Sequence, residues 1–571
     1  MQSIDISDEF LRYRHNAQAM TIFGYDISDD PAIGAAGRVG LYFSNGRSAY
    51  AVRQYPVAIQ AYSRALDIQP SAAAFNNRGL AFRDGGNVDA AERDFSSALR
   101  LDPKDIHARV NLGNLMLASK RFEPAIDEFT RSVDSGDRRD DTYLSRAYAL
   151  RLSGDAAKAL DDYDVVIAQN PKDARGHLGK GLVFDDIGKP GAAVAEFTDA
   201  LKADPTNADA MLALAMDLHD QHKYARAIAA YTSALKVRPG TAWIVEQRAL
   251  AYQHMGNWVQ AISDYSTAIS LRPNDELLHR LRGIAYDHEG KYSGAISDFR
   301  ESVELAPDSS RGYVLWARAL VDAGRFAEAI GVLSRASIRM PDDISLRHEL
   351  AFVFERQGAY SSAVHVYETV LRTHPEDERT RVYLADDETT LGQYEDATQN
   401  YELVSRALPE DGNMLHGRAQ LAFYAGDFRR ADSDLERWQD LYRRGKIEAN
   451  EGQPYYVAIW RHLIALKLAI DDRARLATDA AALDAHRWPY PVLSFYLGKT
   501  SIGTLLVAAS SGSTRDRENQ RCEAEAYLGE WRLDRDDVEG AKRSFAAAST
   551  ECPASFVEKA LATRELQRMD P

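Results

Sequence analysis

Cysteine is almost absent, with two residues in a chain of 571. Two thiols cannot staple so long a chain, so a disulfide scaffold and a cysteine-rich zinc protein are both excluded. No run of about 18–20 uncharged apolar residues occurs, so no segment suits a membrane-crossing helix. Positive charge is not in excess either: 69 Lys+Arg stand against 85 Asp+Glu, a formal net charge of −16. A nucleic-acid partner needs a basic face and is not expected. The opening MQSIDISDEFLRYR has neither a basic start nor an apolar stretch, and no cysteine lies near it for a lipid. The sequence as written is expected to be cytoplasmic; a periplasmic or exported location is the alternative if the true start lies elsewhere.

Catalytic spacings are also missing. Gly498-Lys499-Thr500 suggests a phosphate loop, but Leu493 stands where the earlier glycine is required. His348-Glu349 has no second histidine four residues on, so it is no zinc-protease helix. No nucleophile elbow, dinucleotide-binding glycine set or calcium loop appears. No enzymatic activity, cofactor or metal is expected.

What is present is ordinary globular composition, 45% apolar and 27% charged, in a length that suggests about four domains. The prolines revise that count. Pro103, Pro171, Pro205, Pro239, Pro273, Pro307, Pro341, Pro375 and Pro409 fall on one lattice of 34 residues, and Asp137 fills its vacant place. Gly86, Gly154, Gly188, Gly256, Gly290, Gly324, Gly358, Gly392 and Gly426 form a second comb of the same period. The chain is an array.

Between the combs, runs such as YARAIAAYTSALKVRP (224 to 239) repeat apolar residues every three or four positions, one face of a helix. Each unit is therefore two helices of about 14 residues, each about 20 Å long. Glycine supplies the left-handed turn that ends the first helix, and proline ends the second. Ala91, Ala125, Ala159, Ala193, Ala227, Ala261, Ala295, Ala329, Ala363, Ala397 and Ala431 form a column in the second helices. Small residues such as Gly79, Gly113, Ala147, Gly181 and Ala215 stand opposite in the first helices. A ring follows each of the early column alanines by four residues (Phe95, Phe129, Tyr163, Phe197, Tyr231, Tyr265, Phe299) and fills the space beside the crossing.

This pattern resembles the tetratricopeptide repeat family over residues 39 to 445, as twelve successive units. Lys120 and His222 replace the turn glycine, and Asp137 the terminal proline. The resemblance implies an all-α, right-handed superhelical solenoid of antiparallel helix pairs. It implies a non-catalytic scaffold or adaptor that holds a peptide or partner protein in a concave groove lined by first helices. In that family a clamp for an acidic C-terminal tail uses Lys, Asn and Arg; Asn77, Asn111 and Asn114 are present, but Asp141 and Ser145 stand where basic partners are needed.

Groove-facing positions of the middle units form two columns. Leu144, Tyr148, Leu178, Leu182, Leu212, Met216, Leu250 and Ile284 make an apolar stripe, which also suits packing between neighbouring first helices. Beside it runs a polar ladder of Asp186, Asp220, His254, His288 and Asp322, flanked by Asp185, His219 and Asp287. Aspartate near a helix C-terminus is opposed by the dipole. The ladder therefore reads as a solvated face or as a recognition surface for a basic partner. Equivalent residues of stacked repeats stand roughly 10 Å apart, too far to close around one ion at bond lengths near 2 Å.

The comb is lost after about residue 446. Residues 1–38 read as an N-terminal segment, partly helical or disordered, and 446–521 as an irregular helical region. SSGSTRDREN (510 to 519) reads as a solvated loop. Residues 522–571 hold a thirteenth unit and a capping helix. RWPYPVLSFYLGK, CEAEAYLGEWRL and FVEKALATRELQRM resemble the C-terminal segment of bacterial NlpI-like lipoproteins, which implies a cell-envelope adaptor. Cys522 and Cys552 lie at adjacent ends of an antiparallel pair, so they are either two buried thiols or a disulfide that implies export. The alternatives to the envelope adaptor are a cytosolic assembly platform and, from another class, a regulatory subunit with a cryptic enzymatic C-terminal region.

Overall fold

The computed structural model describes residues 34–450, 452–512, 514–553 and 556–569. Among the described residues every regular element is a helix, and there is no strand. Most of the segment 1–38 lies outside the described residues, but the first helix, Ala35–Ala51, begins inside it.

The chain divides into two compact units, Met1–Leu271 and Arg272–Pro571. In the first, helix pairs follow one another from Ala35–Ala51 and Tyr55–Ile68 to Ala242–His254 and Trp258–Leu271. In the second, five pairs run from Glu276–His288 with Tyr292–Leu305 to Gly412–Ala425 with Phe428–Arg443.

The turn chemistry is local. All nine comb glycines have positive φ, from 68° to 91°. Lys120 and His222, at the same phase, also take φ of 58°. Asparagine or aspartate N-caps such as Asp105, Asn207 and Asp411 accept backbone N–H groups of the following turn. Asp137 replaces the proline by binding the turn itself: its carboxylate accepts from Ser132 Oγ (3.0 Å), Thr142 Oγ1 (2.7 Å) and the Arg139 N–H (3.1 Å).

Packing follows the two small-residue columns. The eleven column alanines are completely buried. A Cβ on Gly79, Gly113, Gly181 or Gly283 would meet the ring of Phe95, Phe129, Phe197 or Phe299 at 2.4–2.8 Å. Gly529 and Phe545 repeat the interlock near the C-terminus, at 2.5 Å. Close backbone approach with a ring wedged beside it is thus the unit of this core.

The region after 446 is helical and shares its core with the last pairs. Helices Gln453–Lys467, Arg473–Ala481, Tyr490–Tyr496 and Ile502–Ala508 join Trp438, Trp460, Leu493, Tyr527 and Leu561 in one apolar cluster. The tryptophan of RWPYP also makes a polar contact, since Trp488 Nε1 and Tyr456 Oη both donate to Glu523 at 2.8 Å. Burial, with Glu558 near, pushes the Glu523 carboxyl up to about 8.

Residues 514–519 are a correction. They fall within a helix, Thr514–Leu533, rather than in the expected loop. Serine and glycine just upstream suggested a loop, but the charged residues that follow are adequate helix formers once the downstream half is pinned by burial. Cys522 therefore sits inside the helix rather than at its start. It is joined to Cys552 with a Cα–Cα distance of 5.1 Å.

Candidate functional site

The first helices are held in place by a polar column that the sequence patterns above do not single out. Arg78, Arg146 and Arg248 each grip, with two hydrogen bonds of 2.7–2.8 Å, the aspartate sixteen residues on: Asp94, Asp162 and Asp264. In the second unit Arg282–Asp298 and Arg418–Asp434 repeat the same pairing. Bidentate guanidinium–carboxylate geometry fixes both the distance and the roll of the two helices. The legible signal was an arginine on the 34-residue lattice with an acid sixteen positions later.

His177, Glu196 and Asp199 offer ligand atoms within 4.8 Å of one another. Glu196 stands on the acid position of that column, with Lys180 on its arginine position. His177 lies on the lattice position that Arg109 fills two repeats earlier, and each binds the acid nineteen residues on, His177 to Glu196 at 2.7 Å and Arg109 to Glu128 at 2.8 Å. Lys180 contacts Glu196 at 3.3 Å and Lys202 contacts Asp199 at 2.7 Å. Where one column position takes a guanidinium in another repeat and two ammonium groups share the acids, the cluster is an ion-pair strut.

In the first unit the expected groove stripe is half-buried at Leu144, Leu178, Leu182, Leu212 and Leu250. Only Tyr148 and Met216 are well exposed, at 44% and 45%. Ile284, in the second unit, is half-buried. Most of the stripe is therefore partly covered by its neighbours, and two side chains stand clear.

The ladder residues differ in their surroundings. Asp186 is not isolated: Arg151 Nη1 donates to it at 2.8 Å, and the same guanidinium lies 5.4 Å from the Tyr148 ring centroid. Asp220 is exposed and has no ion pair among the described residues. Behind it, Asp217 is 4% exposed, and its Oδ2 has no hydrogen-bond partner. Burial raises the Asp217 and Asp185 carboxyls above their ordinary range; Asp220 adds to both, and Asp185 itself adds to Asp217.

Rings gather at the same rung. His254 stacks on Tyr224 at 5.0 Å and 12°, and His219 meets both edge-on at 5.3 Å. His222 Nδ1 lies 2.8 Å from Tyr224 Oη. Burial lowers the His219 imidazole, with His254 adding to the effect. In the second unit, burial likewise raises Asp287, with Asp322 adding, and Asp287 Oδ1 is buried without a partner; His288 is exposed and Asp322 half-buried. Among the described residues no three ladder groups bring ligand atoms within 4.8 Å of one another. What the first-unit rung can do chemically is receive a cation on carboxylates and ring faces.

A tetratricopeptide repeat family model matches residues 43–106, 77–143, 144–208, 178–242 and 247–310, and a second matches 288–351. "Small glutamine-rich tetratricopeptide repeat-containing protein 2" of Mycosarcoma maydis is 32% identical over 92 residues, 16% of this chain and 26% of that protein. Human "Tetratricopeptide repeat protein 6" is 25% identical over 153 residues, 26% of this chain and 29% of that protein. The chain thus spans less than a third of either relative. Among solved structures, the MamA protein is 24% identical over 30% of this chain and 94% of its own, with a TM-score of 0.28. A repeat protein from Parabacteroides merdae is 19% identical over 44% of this chain and 98% of its own, with a TM-score of 0.32. Matches over more than half its length, on the lattice that its turns and columns obey, make this chain a member of the tetratricopeptide repeat family.

Proposed function

We propose that the protein is a non-catalytic scaffold or adaptor, and that the first-helix face of residues 140–254 receives a partner protein or peptide carrying basic groups. Repeats of this family generally serve as protein–protein interaction scaffolds. The observation that carries the reading is that Asp185, Asp217 and Asp220 act electrostatically on one another within the stretch of first helices that leaves Tyr148 and Met216 exposed. Acids at helix C-termini are maintained against the helix dipole, and a cationic partner offsets that cost. Crosslinking mass spectrometry on native extract tests it: partner crosslinks should fall on this face, and the double substitution Asp185→Lys with Asp220→Lys should abolish them. Crosslinks unchanged by the substitution would refute a basic partner.

Within this reading, a cell-envelope adaptor is favoured over a cytosolic platform by one observation, the Cys522–Cys552 disulfide. Disulfides persist where thiols are not kept reduced. Fractionation of the source cells, with alkylation of free thiols before lysis, separates the two locations.

A further inference from the structure

The repeat lattice places one well-defined arginine site in the second unit. Arg564, on the last helix Val557–Met569, sets its guanidinium 4.2 Å from the Tyr424 ring centroid and 5.0 Å from that of Tyr394. Its Nη2 donates to the Thr389 carbonyl at 2.8 Å. Thr389 lies in the last turn of Glu378–Leu391, where carbonyls lack intrahelical partners and the dipole favours a cation. The same carbonyl accepts the N–H of the left-handed Gly392. Beneath it, Asp387 is 4% exposed and its Oδ2 has no hydrogen-bond partner.

Five repeats upstream, Thr389, Tyr394 and Tyr424 correspond to His219, Tyr224 and His254. The match extends to detail. The His219 carbonyl accepts the N–H of His222, which is left-handed as Gly392 is. Asp217 corresponds to Asp387 and shares its burial and its unpartnered Oδ2. The rings differ in arrangement: Tyr224 and His254, in place of Tyr394 and Tyr424, stack on each other at 5.0 Å, with His219 edge-on to both and His254 exposed. Asp220 adds an exposed carboxylate where Thr390 stands in the second unit.

We infer that His219, Tyr224, His254 and Asp220 form a subsite for a partner segment's arginine side chain, which stacks on the exposed face of His254, the counterpart of the Tyr424 ring nearest Arg564, and reaches Asp220. The inference rests on the scaffold reading above and gives the basic partner its chemistry. Arginine is favoured over lysine because a planar guanidinium stacks on a ring while donating in its own plane to a carbonyl and a carboxylate. The last helix shows a form such a segment can take, with a second arginine, Arg568, one turn beyond Arg564.

The test uses the full chain and a fluorescently labelled peptide of its own residues 556–569, followed by anisotropy. Tyr224→Leu and Asp220→Asn should each weaken binding roughly tenfold, the scale of one lost cation–ring or charged contact. His254→Tyr, which copies Tyr424, should strengthen it. A peptide with both arginines replaced by lysine should bind more weakly, and one with glutamine should not bind. Circular dichroism confirms that each variant folds; Asp220 is exposed, so Asp220→Asn keeps the test decisive if a ring substitution does not. Equal affinity for Asp220→Asn and the parent, or for the arginine and glutamine peptides, overturns the inference. So does loss of binding only on Tyr394→Leu, which would mean exchange with the resident helix. If native partners crosslink to the 140–254 face but are indifferent to Asp220→Asn, this subsite fails while the scaffold reading stands. If the peptide binds as described and no partner crosslinks there, the scaffold reading alone fails.

Discussion

Arg248 and Asp264 face each other across one helix pair through two hydrogen bonds of 2.7 Å, with Arg248 Nη1 also donating to Thr232 Oγ1 at 3.1 Å. One guanidinium thereby ties its own second helix to that of the preceding pair. The aspartate side chain is 10% exposed and the arginine 21%, so water screens the pair only in part. Asp264→Ala leaves the guanidinium without its acid and should cost about 1–3 kcal/mol. Arg248→Met with Asp264→Leu should recover much of that loss. Urea unfolding, with hydrogen exchange resolved over 242–271, measures both; equal protection in the parent and Asp264→Ala would refute the strut.

Gly181→Ala decides between two opposing effects. In an ordinary helix interior the change gains up to about 1 kcal/mol. Here the new Cβ would lie 2.4 Å from a ring carbon of the buried Phe197, which cannot withdraw without displacing its neighbours. Overpacking of this kind costs about 1–3 kcal/mol, so the variant should be destabilised. A thermal melt at or above that of the parent would contradict the interlock.

The Cys522–Cys552 bond closes a segment of 30 residues. Loop-closure entropy gives it about 3–4 kcal/mol of stabilisation, confined to the terminal pair. Intact mass without reductant should be lower by two hydrogens than after reduction. Reduction should raise hydrogen exchange across Thr514–Leu533 and Val538–Glu551 while leaving Met1–Leu271 unchanged.

Helix Glu378–Leu391 buries adjacent acids. Burial pushes the Glu388 carboxyl up to about 7, with Asp396 and Glu368 adding, and raises Asp387 further through burial and Glu355. A carboxyl whose folded-state pKa exceeds its unfolded value of about 4 stabilises fully only below that value, and the contribution is lost as pH rises through the folded pKa. The second unit should therefore be more stable at pH 5 than at pH 8. Glu388→Gln should flatten the slope by at most about 1.4 kcal/mol per pH unit between pH 4 and 7. An unchanged pH profile would remove these acids from the account.

The repeat is written in the amino-acid order alone. The 34-residue period, the left-handed turn glycines, the alanine columns and the rings beside them depend on contacts within one helix pair, and such contacts recur at fixed short spacings. Even Lys120 and His222, which break the glycine comb, take the conformation that their phase requires. The strut of Arg248 with Asp264 was equally regular but lay in charged positions that composition treats as surface. The rest was settled by packing between elements. Whether Asp186 is free or held by Arg151 depends on side-chain reach between neighbouring pairs. Helix formation from residue 514 depended on burial of its later half. That Arg564 rests on Tyr394 and Tyr424 joins residues more than a hundred positions apart. No local pattern encodes such a contact; it exists because the packed pairs and the last helix bring a carbonyl, two rings and a guanidinium to one place.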